Sequence, residues 1–275
     1  MRLSAHRIEH ARLDAELLLG HAIGRDRAWI LVHMQDPFEG PGQRLYETSI
    51  DRRAVREPLQ YITGTQEFWG LPFSVTPAVL IPRPETELVV ESAIRAGAAT
   101  AAPVIVDLCT GSGCIAVSLA REYPQARIFA TDRSGAALDI ARRNARQNNV
   151  ADRIRFLEGD LLEPLSEMDL IGRVDIIAAN PPYIRTAELP ALQPEVRDFE
   201  PEMALIAGPA GTEIAERIIR TAPAYLRSGG SLIMEMGLGQ TDELRRILSA
   251  AGAYTEPEVL KDLAGIERVI TVKKK

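Results

Sequence analysis

Val174-Asp175-Ile176-Ile177-Ala178-Ala179-Asn180-Pro181-Pro182-Tyr183 reads as a buried strand that is cut off by two prolines. Proline cannot donate to a sheet ladder and biases the residue before it to extended backbone. Asn180 is therefore expected at the C-terminal edge of the strand, on a stiff main chain. In an open α/β sheet that edge is where ligands bind. Asn180 offers a carbonyl acceptor, Pro181 a main-chain carbonyl on a residue without an N–H, and Tyr183 a flat ring. Two acceptors and a ring suit a planar guest carrying an NH2 group, such as a carboxamide or the exocyclic amine of a base. Taken alone, Asn-Pro-Pro is equally a turn after a strand. Its surroundings decide between the two.

Beyond Pro103 the chain alternates. Strands fit Val104 to Leu108, Arg127 to Thr131, Ile154 to Leu157, Val174 to Ala179, Ser231 to Met236, Thr255 to Leu260 and Ile266 to Val272. Helices fit Ile115 to Glu122, Gly135 to Gln147, Thr212 to Leu226 and Asp242 to Ala251. This pattern calls for an α/β fold with a largely parallel sheet covered on both faces, and the last two strands suit an antiparallel hairpin at one edge.

A nucleotide-binding constellation lies on this frame. Asp107-Leu108-Cys109-Thr110-Gly111-Ser112-Gly113 joins the first strand to its helix, where glycines let a ligand approach the backbone. Asp132 ends the next strand, placed to accept hydrogen bonds from both ribose hydroxyls. Asp160 and Leu161 follow the third strand and are placed to edge an adenine ring. Gly111-Ser112-Gly113-Cys114-Ile115-Ala116 also fits the Gly-x-Gly-x-x-Ala dinucleotide form. Asp107, four residues before the first glycine, fits S-adenosylmethionine better, because its carboxylate can order the loop and meet an ammonium group. With Asn180 at a neighbouring strand end, methyl transfer is favoured over hydride transfer.

Composition bounds the rest. The 275 residues are 46% hydrophobic and 25% charged, as in globular proteins, with length for one large or two ordinary domains. No apolar run approaches the ~18 residues of a membrane span and no signal-peptide layout opens the chain, so a cytoplasmic protein without membrane partners is expected. Cys109 and Cys114 lack the partners of a zinc site or disulfide framework and are read as small packing residues; no metal is expected. A formal net charge of −6 leans against nucleic acid as direct partner. The terminal Lys273-Lys274-Lys275 is read as a solvated tail.

The first part of the chain reads as helical: Leu3 to Ile23, broken at Gly20 and Gly24, then Asp26 to His33 and Gln43 to Arg56, with the connection at Pro37 to Gly42. Residues 1–58 are expected to form a small helical domain with Trp29 in its core. Residues 59–80 alternate aromatic and β-branched residues with Gly and Pro, as a β-hairpin linker would. Residues 81–275 then form the catalytic domain. It opens with Ile81-Pro82-Arg83-Pro84-Glu85-Thr86-Glu87 before a helix to about Ala98. A helix start accounts for the prolines, Thr86 and Glu87, which leaves Arg83 and Glu85 to face a ligand.

From about Ala11 to Val272 the chain resembles the glutamine-N5 methyltransferases that modify peptide chain release factors. The likeness is carried by Gln60-Tyr61-Ile62-Thr63-Gly64, Glu67-Phe68-Trp69-Gly70-Leu71-Pro72, and the stretch from Ile81 to Glu87. It continues through the Asp107 loop, Asn180-Pro181-Pro182-Tyr183, Val196-Arg197-Asp198-Phe199-Glu200-Pro201 with Ala204-Leu205, and Gly265-Ile266-Glu267-Arg268-Val269. The resemblance implies a seven-stranded class I S-adenosylmethionine-dependent methyltransferase fold behind a helical bundle that docks the release factor. The substrate implied is the glutamine of a Gly-Gly-Gln loop, and the spent cofactor is S-adenosyl-L-homocysteine. Because the chain opens close to Ala11, the bundle's first helix is expected to be short.

On this reading Asp107, Cys109, Thr110, Gly111, Ser112, Gly113, Asp132, Asp160, Leu161, Arg83, Glu85 and Asn180 bind cofactor. Asn180, Pro181, Pro182, Tyr183, Arg197 and Glu200 bind substrate, with Asn180, Pro181 and Tyr183 catalytic. The segment from Arg197 to Pro201 is expected to close over the site. An adenine-N6 methyltransferase acting on DNA or RNA is the alternative, because adenine presents the same flat NH2. Such an enzyme needs an electropositive cradle, which the acidic balance disfavours. A non-catalytic module binding S-adenosylmethionine and a partner protein is a third class, disfavoured by the intact Asn180 tetrapeptide.

Overall fold

The structure, a computed structural model, describes residues 2–37 and 40–275. Contacts divide the chain into two compact units, Met1–Thr65 with Leu192–Phe199 and Gln66–Ala191 with Glu200–Lys275.

The first unit contains α1 (Arg2–Ala5), α2 (Ala11–Ile23), α3 (Arg27–Val32), α4 (Gln43–Ala54) and α5 (Leu59–Thr63). Leu3, Ile8, Leu18, Ile50, Ala54 and Ile62 form its core. The first helix is short, four residues long. Gly20 does not break α2 but lies within it: a Cβ there would meet the Arg25 carbonyl oxygen at 2.6 Å, so the glycine serves a close approach. Gly24, at φ 66°, caps the helix instead. Asp26 starts α3 by accepting from Trp29 N at 2.8 Å. Trp29 itself is not core. It is 37% exposed, its ring stacked on His33 with centroids 3.8 Å apart and the Arg25 guanidinium 5.5 Å above it. The connection from Pro37 to Gly42 includes Phe38 and Glu39, which lie outside the described residues.

The same unit takes in a later helix, α9 (Pro194–Phe199), through a partly buried ion cluster. Arg53 Nε donates to Asp14 Oδ2 at 2.7 Å and Arg53 Nη2 to Glu195 Oε1 at 2.9 Å, while Arg56 Nη2 reaches Glu195 Oε2 at 2.6 Å. Against the opposing effect of burial, its own backbone N–H and these two arginines hold the Glu195 carboxyl below its ordinary value.

The second unit begins within β1 (Thr65–Phe68), which forms a hairpin with β2 (Leu71–Ser74). The hairpin is shorter than expected, because Leu59–Thr63 is the helix α5, closed by Gly64 at φ 75°. A 3-10 turn at Pro84–Thr86 leads into α6 (Glu87–Gly97). There follow β3 (Val104–Leu108), α7 (Cys114–Glu122), β4 (Arg127–Asp132), α8 (Gly135–Gln147), β5 (Ile154–Glu158), β6 (Val174–Ala179) and β7 (Ile184–Arg185). After α9 come β8 (Ile206–Gly208), α10 (Glu213–Tyr225), β9 (Leu226–Glu235), α11 (Thr241–Ala251), β10 (Glu258–Lys261) and β11 (Glu267–Lys273). One seven-stranded sheet runs β10-β11-β9-β6-β3-β4-β5, and β7 pairs with β8 apart from it. The sheet is parallel from β9 to β5 and antiparallel through β11 and β10.

Alternating side chains feed two cores, as a sheet covered on both faces requires. Val106, Leu108 and Ile177 pack with Ile218 and Ile219 of α10 and Leu244 of α11. Ile105, Ile176 and Ile233 pack on the other face with Val89 and Val90 of α6 and Val117 of α7. The lysines at the C-terminus are not merely solvated. Lys274 Nζ donates to the carbonyls of Pro223 and Leu226, each at 2.7 Å, tying the chain end to α10 and β9.

Candidate functional site

Register sets the site. Leu108 pairs with Thr131 on one side and Ala179 on the other, and Ala179 pairs with Met234. The strand ends are thus level, and the next residues in line are Asn180 and Glu235. At this edge lies a cavity of about 500 Å3, within the range of small-molecule sites. Its walls include Arg83, Thr86, Cys109 to Ser112, Asp132, Asp160, Leu161, Asn180 and Pro182, and residues 201–204.

The loop after β3 is held by carboxylates. Asp107 is fully buried; its Oδ2 accepts from Thr110 Oγ1 at 2.5 Å and Ala116 N at 3.1 Å. Its Oδ1 is buried and meets no hydrogen-bond partner among the described residues. Burial pushes this carboxyl up to about 7 despite the two donors. Asp132 accepts from Gly111 N at 2.8 Å and Ser134 N at 2.9 Å, again with its proton affinity raised by burial. Gly113 has φ 82°, and a Cβ there would lie 3.0 Å from the Ala141 Cβ, so the turn requires glycine twice over. Asn144 braces the loop from behind: its Nδ2 donates to Ser112 O at 2.8 Å and Ser74 O at 3.0 Å, and its Oδ1 accepts from Ser74 N.

At the other side of the cavity Asn180 is not a free turn residue. Its Nδ2 donates to Thr86 Oγ1 at 3.0 Å, and Thr86 Oγ1 donates to Glu235 Oε2 at 2.6 Å. Tyr183 donates to the second oxygen, Glu235 Oε1, at 3.3 Å. Thr86 is 1% and Glu235 3% exposed. Burial, against the hydrogen bonds from Thr86 and Tyr183, pushes the Glu235 carboxyl up to about 7.

Not all the expected residues converge. Asp107 and Gly113 sit beneath the loop, whereas Cys109, Thr110, Gly111, Ser112, Asp132, Leu161 and Asn180 line the cavity. Asp160 does too, but one of its oxygens is engaged by Arg217 at 2.7 Å. Cys109 and Cys114 also line it, both with burial raising their thiols, which leaves them protonated. Arg83 lines the cavity and binds Glu200, whose carboxylate is buried and raised by that burial. Glu200 is thus Arg83's buried partner and does not itself line the cavity. Glu85 is half-buried outside the lining, Pro181 is buried, and Tyr183 is half-buried outside the lining with its ring next to Gly237. Arg197 lies on α9 in the helical unit, bonded to Asp198 at 2.7 Å. The expected closing segment is therefore split: residues 201–204 line the cavity, while residues 197–199 belong to the other unit.

Sequence reasoning missed Glu235 and Asn144 and took Thr86 for a helix-start residue. The signal for Glu235 was present, as a lone carboxylate inside the apolar run Leu232-Ile233-Met234-Glu235-Met236.

Known proteins bear on both units. Residues 1–64 match the PrmC N-terminal domain and residues 86–192 the methyltransferase small domain. The release factor glutamine methyltransferase of Geobacter sulfurreducens is 44% identical over 263 residues, covering 96% of this chain and 89% of its own. That of Moorella thermoacetica is 44% identical over 267 residues, covering 97% and 93%. Among solved structures, the catalytic domain of hMettl16 in complex with the MAT2A 3′UTR hairpin 6 is similar at TM-score 0.60 and 18% identity, covering 86% of this chain and 82% of that one. The ribosomal protein L11 methylase of Lactobacillus delbrueckii subsp. bulgaricus is similar at TM-score 0.50 and 21% identity, covering 73% and 84%. At these identities the structural likeness speaks for the fold alone. Among the described residues no helix is long and apolar enough to cross a membrane.

Proposed function

The chain belongs to the release factor glutamine methyltransferase family, and on that premise we propose that it methylates the side-chain amide nitrogen of the glutamine in the Gly-Gly-Gln motif of peptide chain release factors. The donor is S-adenosylmethionine, which when bound supplies an electrophilic methyl group on a positively charged sulphur. The donor set fits such a guest. Asp107 Oδ1 is a buried acceptor still in want of a donor, suited to an ammonium group. Asp132 keeps lone pairs for a ribose diol after receiving two backbone N–H groups. Asp160 and Leu161 edge the adenine, the 109–113 loop passes along the ligand, and Arg83, with Glu85 near it, offers charge to the amino-acid end.

The observation that carries the reading is the seat of Asn180. With Nδ2 spent on Thr86, the planar carboxamide presents Oδ1 from its other edge. A substrate amide offers two N–H groups. Asn180 Oδ1 takes one and the main-chain carbonyl of Pro181 the other, which orients the nitrogen lone pair for transfer. A carboxamide nitrogen is a weak nucleophile because that pair is shared with its carbonyl. As positive charge grows on nitrogen the two acceptors hold it more strongly than in the ground state, so they act on the transition state. The methylated, cationic amide sheds its proton readily, so a strong general base is not required. Tyr183, anchored through its hydroxyl on Glu235 outside the lining, braces the tetrapeptide from behind, and Pro182 fills the wall beside Asn180.

The test is incubation with methyl-labelled S-adenosylmethionine and either a purified release factor or DNA and RNA. Label on the Gly-Gly-Gln glutamine is expected. Label on nucleic acid alone would overturn the assignment in favour of adenine methylation.

A further inference from the structure

Among the described residues Glu235 is a buried carboxylate without a bonded cation, one hydroxyl removed from Asn180. Its hydrogen-bond donors are Thr86 Oγ1 at 2.6 Å and Tyr183 Oη at 3.3 Å. Burying such a group costs the fold stability, which marks it as a candidate for function. Here the charge has a directional consequence.

An ionised carboxylate only accepts. The single proton of Thr86 is therefore drawn to Glu235, and Thr86 Oγ1 has only lone pairs left for Asn180. Asn180 must answer with its NH2, as it does at 3.0 Å. Were Glu235 protonated, its O–H could donate to Thr86, freeing the Thr86 proton to seek Asn180 Oδ1. The carboxamide would then turn over and present two N–H groups to a substrate NH2 that itself offers only N–H groups. Donor would face donor.

We infer that Glu235 is a positioning residue that dictates, through the Thr86 hydroxyl, which end of the Asn180 carboxamide faces the substrate. This rests on the reading of Asn180 Oδ1 as the substrate's acceptor. The groups facing Glu235 bear on its charge from several sides. Tyr183 and Thr86 donate to it, Arg268 on β11 favours its ionised form and Glu85 before α6 opposes it. Cys114 on α7, its own thiol pushed up to about 12 by burial, stays neutral. With its carboxyl pushed up to about 7, Glu235 changes charge within the working range of an enzyme. Asp107 titrates nearby, but it acts on the cofactor, so saturating cofactor holds it ionised and leaves Glu235 to shape kcat.

The experiment measures kcat at saturating S-adenosylmethionine with release factor as substrate, from roughly pH 5.5 to 9. Wild type, Thr86→Val, Thr86→Ser, Glu235→Gln and Asn180→Ala are compared, with cofactor affinity by calorimetry as the check on folding. Wild-type kcat should fall on the acid side with a midpoint near 7. Glu235→Gln should lack that limb, because its amide oxygen accepts the Thr86 proton at every pH. Thr86→Val should lose about tenfold or more in kcat with cofactor affinity within about threefold, and Thr86→Ser should recover most of the loss. An acid limb that persists in Glu235→Gln, or a Thr86→Val enzyme at wild-type kcat, overturns the inference. If Asn180→Ala is inactive while Thr86→Val is unimpaired, the relay alone fails. If Asn180→Ala turns over normally, the underlying reading of Asn180 fails with it.

Discussion

Asn180 and Thr86, 94 residues apart in sequence, meet side chain to side chain at 3.0 Å. The contact exists because α6 packs on β6 and β9, which brings the turn before that helix to the edge of the sheet where β6 ends. A residue already stiffened in its main chain by Pro181 is thereby fixed in its side chain as well. Preorganisation of this kind is what lets one acceptor discriminate between a ground state and a transition state.

Asp132 both fastens the loop and faces the cavity, so its loss should be felt by the cofactor. Asp132→Ala is expected to weaken S-adenosylmethionine binding about tenfold or more, the scale of lost charge-assisted hydrogen bonds. Calorimetry that finds unchanged affinity would remove Asp132 from the ribose site.

Glu235 should cost stability in a pH-dependent way. Its folded value near 7 lies above the ordinary 4.5, so the folded chain binds this proton more tightly than the unfolded chain. The destabilisation is absent below the unfolded value, grows as pH rises between the two, and is complete above 7. Glu235→Gln is therefore expected to raise stability by up to about 3 kcal/mol near pH 8 and to change it little near pH 4. Equal effects in urea melts at both pH values would show that the charge is compensated in the fold.

In the helical unit, Arg53 bridges Asp14 and Glu195. Arg53→Ala leaves both carboxylates partly buried without it, at a cost of about 3 kcal/mol. Hydrogen exchange should then quicken in residues 192–199, which this cluster ties to the unit. Unaltered exchange there would mean that the ion cluster does not hold the segment.

Much of this was legible because it is local. Strand and helix spans after Pro103 follow from hydrophobic period, and the Asp107 loop, Asp132 and Asn180 follow from glycine spacing and strand ends. What was hidden is long-range. Arg53 and Glu195 lie 142 residues apart, and no periodicity assigns the 194–199 helix to the N-terminal unit. Gly20 looked like a helix breaker because its purpose, room for the Arg25 carbonyl, lies in packing. Lys274 looked like part of a tail because its acceptors are carbonyls left open at Pro223 and Leu226. Thr86 sat among turn residues that a helix start already explained, and Glu235 acquired meaning only once β9 was level with β6.

On the proposed mechanism Asn180 acts on the transition state and not on assembly of the complex. The measurement that decides it is single-turnover methylation of a release factor by Asn180→Ala, beside calorimetric cofactor affinity. A fall in rate of roughly 100-fold or more, on the ~3 kcal/mol scale of one preorganised polar partner, is expected with S-adenosylmethionine binding little changed. Methylation at the wild-type rate, or a variant whose only defect is lost cofactor binding, would contradict it and return Asn180 to the role of a turn residue.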